Sequence, residues 1–275
     1  MPELPEVETV RRTLAPAVGA TITGVWTSGK GLHMGRKPPR GKLRRLVDHD
    51  VTALRRLGKF LLVDTDADDT LLVHLGMSGR FRLQPTREPR APHTHVIVTL
   101  ADGRDLRFTD PRRFGQIDVV TRGAERDHAG LGALGPDPIA ETLTAAHLAA
   151  RAKGKTVSAK AFVLDQSIVA GVGNIYASEA LWRAQIHPQT KAGKLTGARA
   201  DALAAAILEV LHHALDHGGT TLRDYVNADG DEGDHYDYLS VYARAGEPCR
   251  RCERKIVRSV VHGRATYFCP TCQRR

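Results

Sequence analysis

The chain has 275 residues, of which 41% are hydrophobic and 5% aromatic, so its cores have to be built largely from aliphatic side chains. This composition excludes intrinsic disorder. No apolar run approaches the roughly 20 residues of a membrane span. The acidic start MPELPEVET lacks the basic and apolar regions of a signal peptide. We therefore expect a globular, cytoplasmic protein without membrane contact.

The formal net charge is +9, and it is concentrated at one end of the chain. The stretch from Cys249 to Arg275 holds seven Arg, one Lys and one Glu, a net charge of +7. A basic module beside a near-neutral body is typical of nucleic-acid binding. A solvated basic tail is the alternative, and the cysteines in the same stretch argue against it.

In chain order, residues 2–19 predict a helix with Pro5 in its first turn and with Val7, Val10 and Leu14 on one face. From residue 20 to about 120, short apolar runs predict strands. One predicted hairpin has Asp102–Gly103 at its tip, a favoured type I′ pair. These patterns indicate an antiparallel β-sandwich or barrel with the first helix alongside.

The pattern changes from strand to helix near residue 135. Residues 218–248 are polar and rich in Asp, which predicts a mobile loop. We expect an α+β multidomain fold with domains at 1–135 (β-sandwich), 136–225 (helical) and 226–275 (mobile loop and C-terminal module). Four segments predict helices: TLTAAHLAARAKG, SAKAFVLDQ, NIYASEALWRAQ and ARADALAAAILEVLHHALDHGG. The last has Leu203, Ile207, Leu211 and Leu215 on one face and ends at Gly218–Gly219.

All four cysteines of the chain lie in two C-x2-C pairs, Cys249/Cys252 and Cys269/Cys272, with sixteen residues between the pairs. Each pair can present two thiolates to one tetrahedral ion. Disulfides are the alternative, but a cytoplasmic location disfavours them. The spacing therefore predicts one structural zinc ion with no open coordination position.

Between the cysteine pairs, the segment KIVRSVVHGRATYF predicts a hairpin that turns at residues 262–264. Arg264 at such a turn could reach a phosphate or a groove. An ordinary solvated tip is the alternative. His262 is a further candidate ligand that four cysteines make unnecessary.

The N-terminus offers a candidate nucleophile. Removal of Met1 would leave Pro2 with a free secondary amine, and α-amino groups have a pKa of roughly 7.7–8.0. Such an amine can attack a sugar carbon and form a Schiff base, and Glu3 beside it could act as general acid or base. A helix N-terminus with capping carboxylates is the alternative. While Met1 is attached, the Pro2 nitrogen is an amide and cannot attack.

Several segments together resemble the formamidopyrimidine-DNA glycosylase family, bacterial enzymes that remove 8-oxoguanine and ring-opened purines. They occur in the family's order along nearly the whole chain. The resemblance implies an N-terminal antiparallel β-sandwich, a helix–two-turn–helix domain and a C-terminal β-hairpin zinc finger. The segments are PELPEVETVRR, LGKFLL, HLGMSG, TDPRRFG, GVGNIYASEALW, GGTTLRD and the zinc finger.

The same resemblance implies a base-excision-repair enzyme, a DNA glycosylase and AP lyase that cleaves the strand by β,δ-elimination. Its partner would be damaged double-stranded DNA. The protein would be a monomer in the bacterial cytoplasm and would act at the nucleoid. It would need one structural Zn²⁺ per chain and no redox cofactor.

Roles follow for the residues that match the family's motifs. Pro2 resembles the nucleophile and Glu3 the proton donor that helps to open the deoxyribose ring. Lys59 resembles the lysine that grips a phosphate and assists elimination. Asn174 and Arg264 resemble the pair that clamps the phosphates beside the lesion.

Other matching residues resemble DNA contacts. Met77, Arg112 and Phe114 resemble the three side chains that enter the duplex when a base is turned out; core packing is the alternative for Met77 and Phe114. His93 and Lys155 match further DNA-contacting positions, although the spacing around AKGKTVSAK fits more than one register.

Two alternatives stay open on the sequence. Endonuclease VIII, the sister enzyme, shares the nucleophile and the finger but removes oxidised pyrimidines. The second alternative is a non-catalytic DNA-binding protein with a zinc finger. The acidic segment NADGDEGDHYDY departs from the family's damaged-base loop, which leaves the base preference open.

Overall fold

The computed structural model describes residues 1–221 and 225–274. The end of the GGTTLRD segment, Leu222 to Asp224, and the terminal Arg275 lie outside the described residues. The chain forms two compact units. One comprises Met1–Gly132 with His217–Asp234, and the other comprises Ala133–Asp216 with His235–Arg275. The three-domain division given above stays a prediction.

The first unit contains two four-stranded antiparallel sheets, ordered β1-β6-β7-β5 and β2-β3-β4-β8. Its helices are α1 (Leu4–Thr13) and a short α2 (Arg40–Arg44). The strands described in this unit are β1 (Ile22–Thr27), β2 (Val51–Leu57), β3 (Phe60–Thr65), β4 (Asp69–His74), β5 (Arg80–Pro85), β6 (Thr94–Leu100), β7 (Arg104–Thr109) and β8 (Gln116–Thr121).

One apolar core joins these two sheets and α1, which confirms the predicted sandwich. Val7 and Val10 of α1 are buried, as the helical periodicity predicts. They belong to the same cluster as side chains from both sheets, such as Val63 of β3 and Val98 of β6. The sequence predicts only strands from residue 20 to about 120, which is wrong for α2, and the fully buried Leu43 of this helix also joins the core.

The predicted hairpin of β6 and β7 is present, but the type I′ turn is wrong. A type I′ turn needs a positive φ at both central residues, and of Asp102 and Gly103 only Gly103 has one, at +83°. The Gly103 N–H donates to the carbonyl of Leu100 at 3.3 Å. The connection is therefore a longer turn whose left-handed position is filled by glycine.

The second unit contains the four predicted helices. The longest, α6, stacks Leu203, Ile207 and Leu211 in the core of this unit. The helix ends at Asp216, and the next glycines, Gly218 and Gly219, both have positive φ. The elements described here are α3 (Ala145–Ala152), α4 (Ala159–Leu164), α5 (Asn174–Arg183), α6 (Ala198–Asp216), β9 (Val257–Val261) and β10 (Arg264–Phe268).

The acidic segment has more apolar anchors than its composition suggests. Tyr225 and Ala228 are buried in the first unit, and Leu239 and Val241 are buried in the second. The Asn227 side-chain oxygen accepts three backbone N–H groups from the residues that follow it. The mobility predicted for this segment stays a prediction. Among the described residues, no helix combines the length and the apolar character that a membrane span requires.

Candidate active site and zinc centre

Buried hydrogen bonds hold the N-terminal segment in place. Pro2 and Glu3 are buried directly before α1, and Pro5 occupies the first turn of that helix. The Glu3 N–H donates to the Glu6 carboxylate at 2.7 Å. The second oxygen of that carboxylate accepts the N–H of Thr220 at 2.7 Å. Glu6 was not among the predicted site residues, although a carboxylate three residues after a helix cap is a capping-box signal.

A largely apolar cavity of about 440 Å³ lies next to this segment in the first unit. It brings together Met1, which precedes the candidate nucleophile, Phe60, which follows Lys59, and the predicted duplex-entering residues Met77 and Phe114. The residues that line it are Met1, His33, Phe60, His74, Gly76, Met77, Phe114, Gln116 and Gly130.

Lys59 lies in the turn between β2 and β3 rather than within the strand, and it is 8% exposed. Its ammonium group acts on His74, the last residue of β4. Burial, followed by the charges of Lys59 and His33, lowers the pKa of His74 to about 4. The His74 imidazole is therefore neutral near pH 7, and its Nδ1 accepts the N–H of Gly76 at 3.1 Å.

Met77 and Phe114 are exposed, which excludes the core-packing alternative. Their exposed fractions are 38% and 44%, although side chains of this size are usually buried. The Arg112 guanidinium lies 5.0 Å from the centre of the Phe114 ring, within cation–π range. The structure thus presents two large apolar groups and one cation together at the surface.

A fully buried carboxylate organises the loop that carries Arg112 and Phe114. Asp110 accepts the Ser78 hydroxyl at 2.6 Å and the Gly115 N–H at 2.7 Å. It also accepts the Arg112 N–H at 3.2 Å. The sequence analysis quoted this segment without assigning Asp110 a role. A charged residue directly after a buried strand was the signal available.

The two glycines around this loop allow a close approach of the backbone. Gly76 has a φ of +64°, and a Cβ there would lie 2.5 Å from the Gly115 nitrogen. A side chain at position 76 would therefore force the segments that carry Met77 and Phe114 apart.

The two remaining predicted DNA contacts are both exposed. His93 has a φ of +62°, a strained value for a non-glycine residue, and its carbonyl accepts the Asp110 N–H at 3.0 Å. Lys155 directly follows the turn that ends α3. Lys160, the last lysine of AKGKTVSAK, is instead fully buried and donates to the Asn174 carbonyl at 3.0 Å. Exposure therefore excludes Lys160 but suits both Lys155 and Lys153 as surface contacts.

The second unit brings Asn174 and the Arg264 strand together. Asn174 opens α5, and its side-chain amide donates to the carbonyl of Ala265 at 2.9 Å. The neighbouring Arg264 begins β10, and its side chain is exposed. Gly171, before α5, has a φ of +85°. The strand that carries the exposed Arg264 is therefore hydrogen-bonded to the first residue of α5, and a helix N-terminus suits an anion.

The four cysteines fit a tetrahedral metal ion. All four Sγ atoms lie within 4.8 Å of one another. Cys249 and Cys272 are 3.9 Å apart, and Cys252 and Cys269 are 3.5 Å apart. Zn–S bonds of about 2.3 Å give sulfur–sulfur edges of about 3.8 Å, whereas a disulfide needs about 2.05 Å. The cysteines therefore form the structural zinc centre of the finger.

Family models match three successive segments of the chain. The formamidopyrimidine-DNA glycosylase N-terminal domain matches residues 1–117. The formamidopyrimidine-DNA glycosylase H2TH domain matches residues 134–226, and the zinc finger found in FPG and IleRS matches residues 246–275. The chain belongs to the formamidopyrimidine-DNA glycosylase family. It is accordingly a DNA glycosylase of DNA repair.

The chain is similar to individual members of the formamidopyrimidine-DNA glycosylase family over its full length. The chain is 45% identical over 276 residues to the formamidopyrimidine-DNA glycosylase of Xanthomonas euvesicatoria, with 100% of both chains covered. A mutant of the Lactococcus lactis protein, solved with Fapy-dG-containing DNA, is 32% identical with a TM-score of 0.92 and 100% coverage of both chains. The Lactococcus lactis protein with abasic-site DNA is 32% identical with a TM-score of 0.90, covering 99% and 100%.

Proposed function

We propose that this glycosylase removes oxidised purines from double-stranded DNA and then cleaves the strand, with the amine of Pro2 as its nucleophile. The observation that carries the proposal is the position of the N-terminus. Met1 lines the cavity that also contains Met77 and Phe114. Once Met1 is removed, the Pro2 amine becomes the end of the chain at that wall. The Lactococcus lactis complexes with Fapy-dG and abasic-site DNA support the same substrates.

The proposed reaction begins with covalent catalysis. The Pro2 nitrogen attacks C1′ of the deoxyribose, and the bond to the damaged base breaks. Glu3 donates a proton to the ring oxygen as the sugar opens, which leaves a cationic imine between Pro2 and C1′. The buried position of Glu3 keeps this carboxyl beside the nucleophile.

Strand cleavage follows from the imine. Loss of a proton from C2′ expels the 3′ phosphate, and a second elimination expels the 5′ phosphate. Lys59, in the turn next to the cavity, grips a phosphate and assists elimination. Water then hydrolyses the imine, which frees Pro2 and releases the sugar remnant as an unsaturated aldehyde, so that the DNA product is a one-nucleotide gap flanked by phosphates. The zinc ion holds the finger in shape, and the chemistry needs no redox cofactor.

The proposed DNA contacts divide by position. Met77, Arg112 and Phe114 enter the duplex from their exposed loops, fill the gap and meet the orphaned base. Asn174 and Arg264 clamp the phosphates beside the lesion. His93 and Lys155 make further contacts with the DNA. We expect the protein to act as a monomer in the cytoplasm.

Borohydride trapping on duplexes with 8-oxoguanine, an oxidised pyrimidine or an abasic site tests the proposal. Intact mass should first show that Met1 is absent. We expect a covalent adduct with the oxidised purine and the abasic site, and no adduct for Pro2→Glu, in which the large second residue keeps Met1 attached and position 2 an amide. A non-catalytic binder would give no adduct, and the sister activity would favour the pyrimidine. An unprocessed chain that still forms the adduct would refute the assignment of Pro2.

A further inference from the structure

A second basic stretch occurs early in the sequence, about 200 residues before the zinc finger. Residues 30–45 contain seven Lys and Arg and no Asp or Glu, a net charge of +7. This equals the charge that the sequence analysis found in the last 27 residues, and the proposed function does not use it. The stretch runs from the end of β1 through α2 in the first unit.

The structure separates these cations into paired and unpaired groups. Lys42 binds Asp118 at 3.1 Å, and Arg45 binds Asp69 at 2.6 Å. Across residues 1–221 and 225–274, the other five side chains have no hydrogen bond or ion pair, and all five are exposed. We call this group the cation ridge: Lys30, Arg36, Lys37, Arg40 and Arg44.

A rigid turn carries the first part of the cation ridge. Leu32 is 4% exposed, and its N–H donates to the Arg36 carbonyl at 2.8 Å. A Cβ on Gly31 would lie 2.4 Å from the Gly35 oxygen, so only glycine fits there. Because the backbone is held, the ridge loses little conformational entropy when it binds a partner.

The turn is also fixed to the loop that probes the duplex in the proposed function. The His33 N–H donates to the carbonyl of Gly115 at 3.0 Å, and Gly115 directly follows Phe114. His33 lines the same 440 Å³ cavity as Phe114. A second, smaller cleft of about 150 Å³ begins at His33 and is lined by Arg36, Lys37 and Lys42.

We propose that the cation ridge is a DNA-contact surface that holds backbone phosphates of the duplex on one side of the lesion. The inference rests on the proposed function, which places Phe114 in the duplex. A duplex entered at Phe114 has to continue past the adjoining surface. Unpaired, exposed guanidinium and ammonium groups on a rigid turn are what a phosphate backbone binds.

Salt dependence of binding to an undamaged duplex tests the ridge separately from catalysis. Each phosphate contact adds about 0.9 to the slope of log K against log salt concentration. We expect Arg36→Gln/Lys37→Gln to reduce the steepness by about 1 to 2, and Arg40→Gln/Arg44→Gln to act similarly. The matched control is Arg45→Gln/Arg104→Gln, which removes the same charge from positions paired with Asp69 and Asp102 and should change the slope by less than about 0.5.

The outcomes are distinguishable. The inference would be overturned if the ridge variants kept wild-type melting temperatures and an unchanged slope of log K against log salt concentration. An acidic protein would then be the partner to test for this surface. Equal changes in ridge and control variants would also overturn it, because they would reflect net charge alone. If the wild type failed the trapping assay while the ridge variants still lost slope, the proposed function would fail and the ridge would stand.

Discussion

The side chain of Glu6 binds the backbone of Thr220 across 214 positions of sequence, with a distance of 2.7 Å between the carboxylate oxygen and the N–H. The same carboxylate holds the N–H of Glu3. One buried residue therefore connects the segment that carries the candidate nucleophile to the base of the acidic segment. Tyr225 adds a second link, because its hydroxyl donates to the backbone carbonyl of Glu6 at 3.3 Å.

The first prediction concerns this link. Glu6→Gln leaves one acceptor oxygen for two buried N–H groups, so one of them faces an amide donor. We expect the free energy of unfolding to fall by about 1–3 kcal/mol. The single-turnover rate of base release should fall by about tenfold or more, because the nucleophile shifts. Urea unfolding and quenched-flow kinetics measure the two effects. Glu141→Gln, on an exposed side chain, is the control, and equal behaviour of the two variants would contradict the prediction.

The second prediction concerns acid stability. Burial raises the pKa of Glu8, but hydrogen bonds and charges from Arg11, Arg12 and Arg56 outweigh it and lower the pKa to about 2, from 4.5. A depressed carboxyl pKa stabilises the fold above the unfolded value and loses that contribution as the pH falls from 4.5 towards 2. The contribution is about 3 kcal/mol.

Glu8→Gln should therefore be less stable than the parent by about that amount near pH 7, and the difference should shrink as the pH approaches about 2 to 3. Urea unfolding of both proteins across this range gives the difference directly. A gap that stayed constant with pH would show that lost packing, and not the ion pairs, causes the destabilisation.

The third prediction concerns zinc removal. Trp182 of α5 belongs to a small core with Cys249, Ile256 and Cys269, and Arg251 lies 4.0 Å over its ring. Loss of the ion should open this core, because the ion joins its cysteines. In a Trp26→Phe background, chelation should shift the remaining tryptophan emission to the red, and added Zn²⁺ should reverse the shift. If native mass spectrometry confirmed the loss of zinc and the tryptophan emission stayed the same, the prediction would be wrong.

The fourth prediction separates function from stability at the duplex-entering loop. Because Phe114 is 44% exposed, Phe114→Ala should change the free energy of unfolding by no more than about 0.5 kcal/mol. Release of 8-oxoguanine should nevertheless fall by at least about tenfold, since the wedge in the duplex is lost. Val18→Ala, at the same 44% exposure, is the matched control. A destabilised Phe114→Ala with normal excision would return this residue to a structural role.

Local patterns in the sequence determined much of this protein. The helical periodicity of Leu203, Ile207 and Leu211 predicted α6, and the two C-x2-C spacings predicted the zinc centre. Both succeed because the interacting groups lie within a few residues of one another, or within two short turns. The turn type predicted at Gly103 was wrong, because the Asp102–Gly103 pair is compatible with several closely related turns.

Only the tertiary structure decided which polar groups found partners. Nothing in the local sequence separates Lys42 from Arg44, yet Lys42 pairs with Asp118 on β8 while Arg44 is exposed and has no partner among the residues that the structure describes. Likewise, the role of Glu6 depends on Thr220, and that of Asp110 on Ser78. The sequence determines the charge of a residue. Its contribution to the free energy of folding depends on which groups the fold brings within about 3 Å of it.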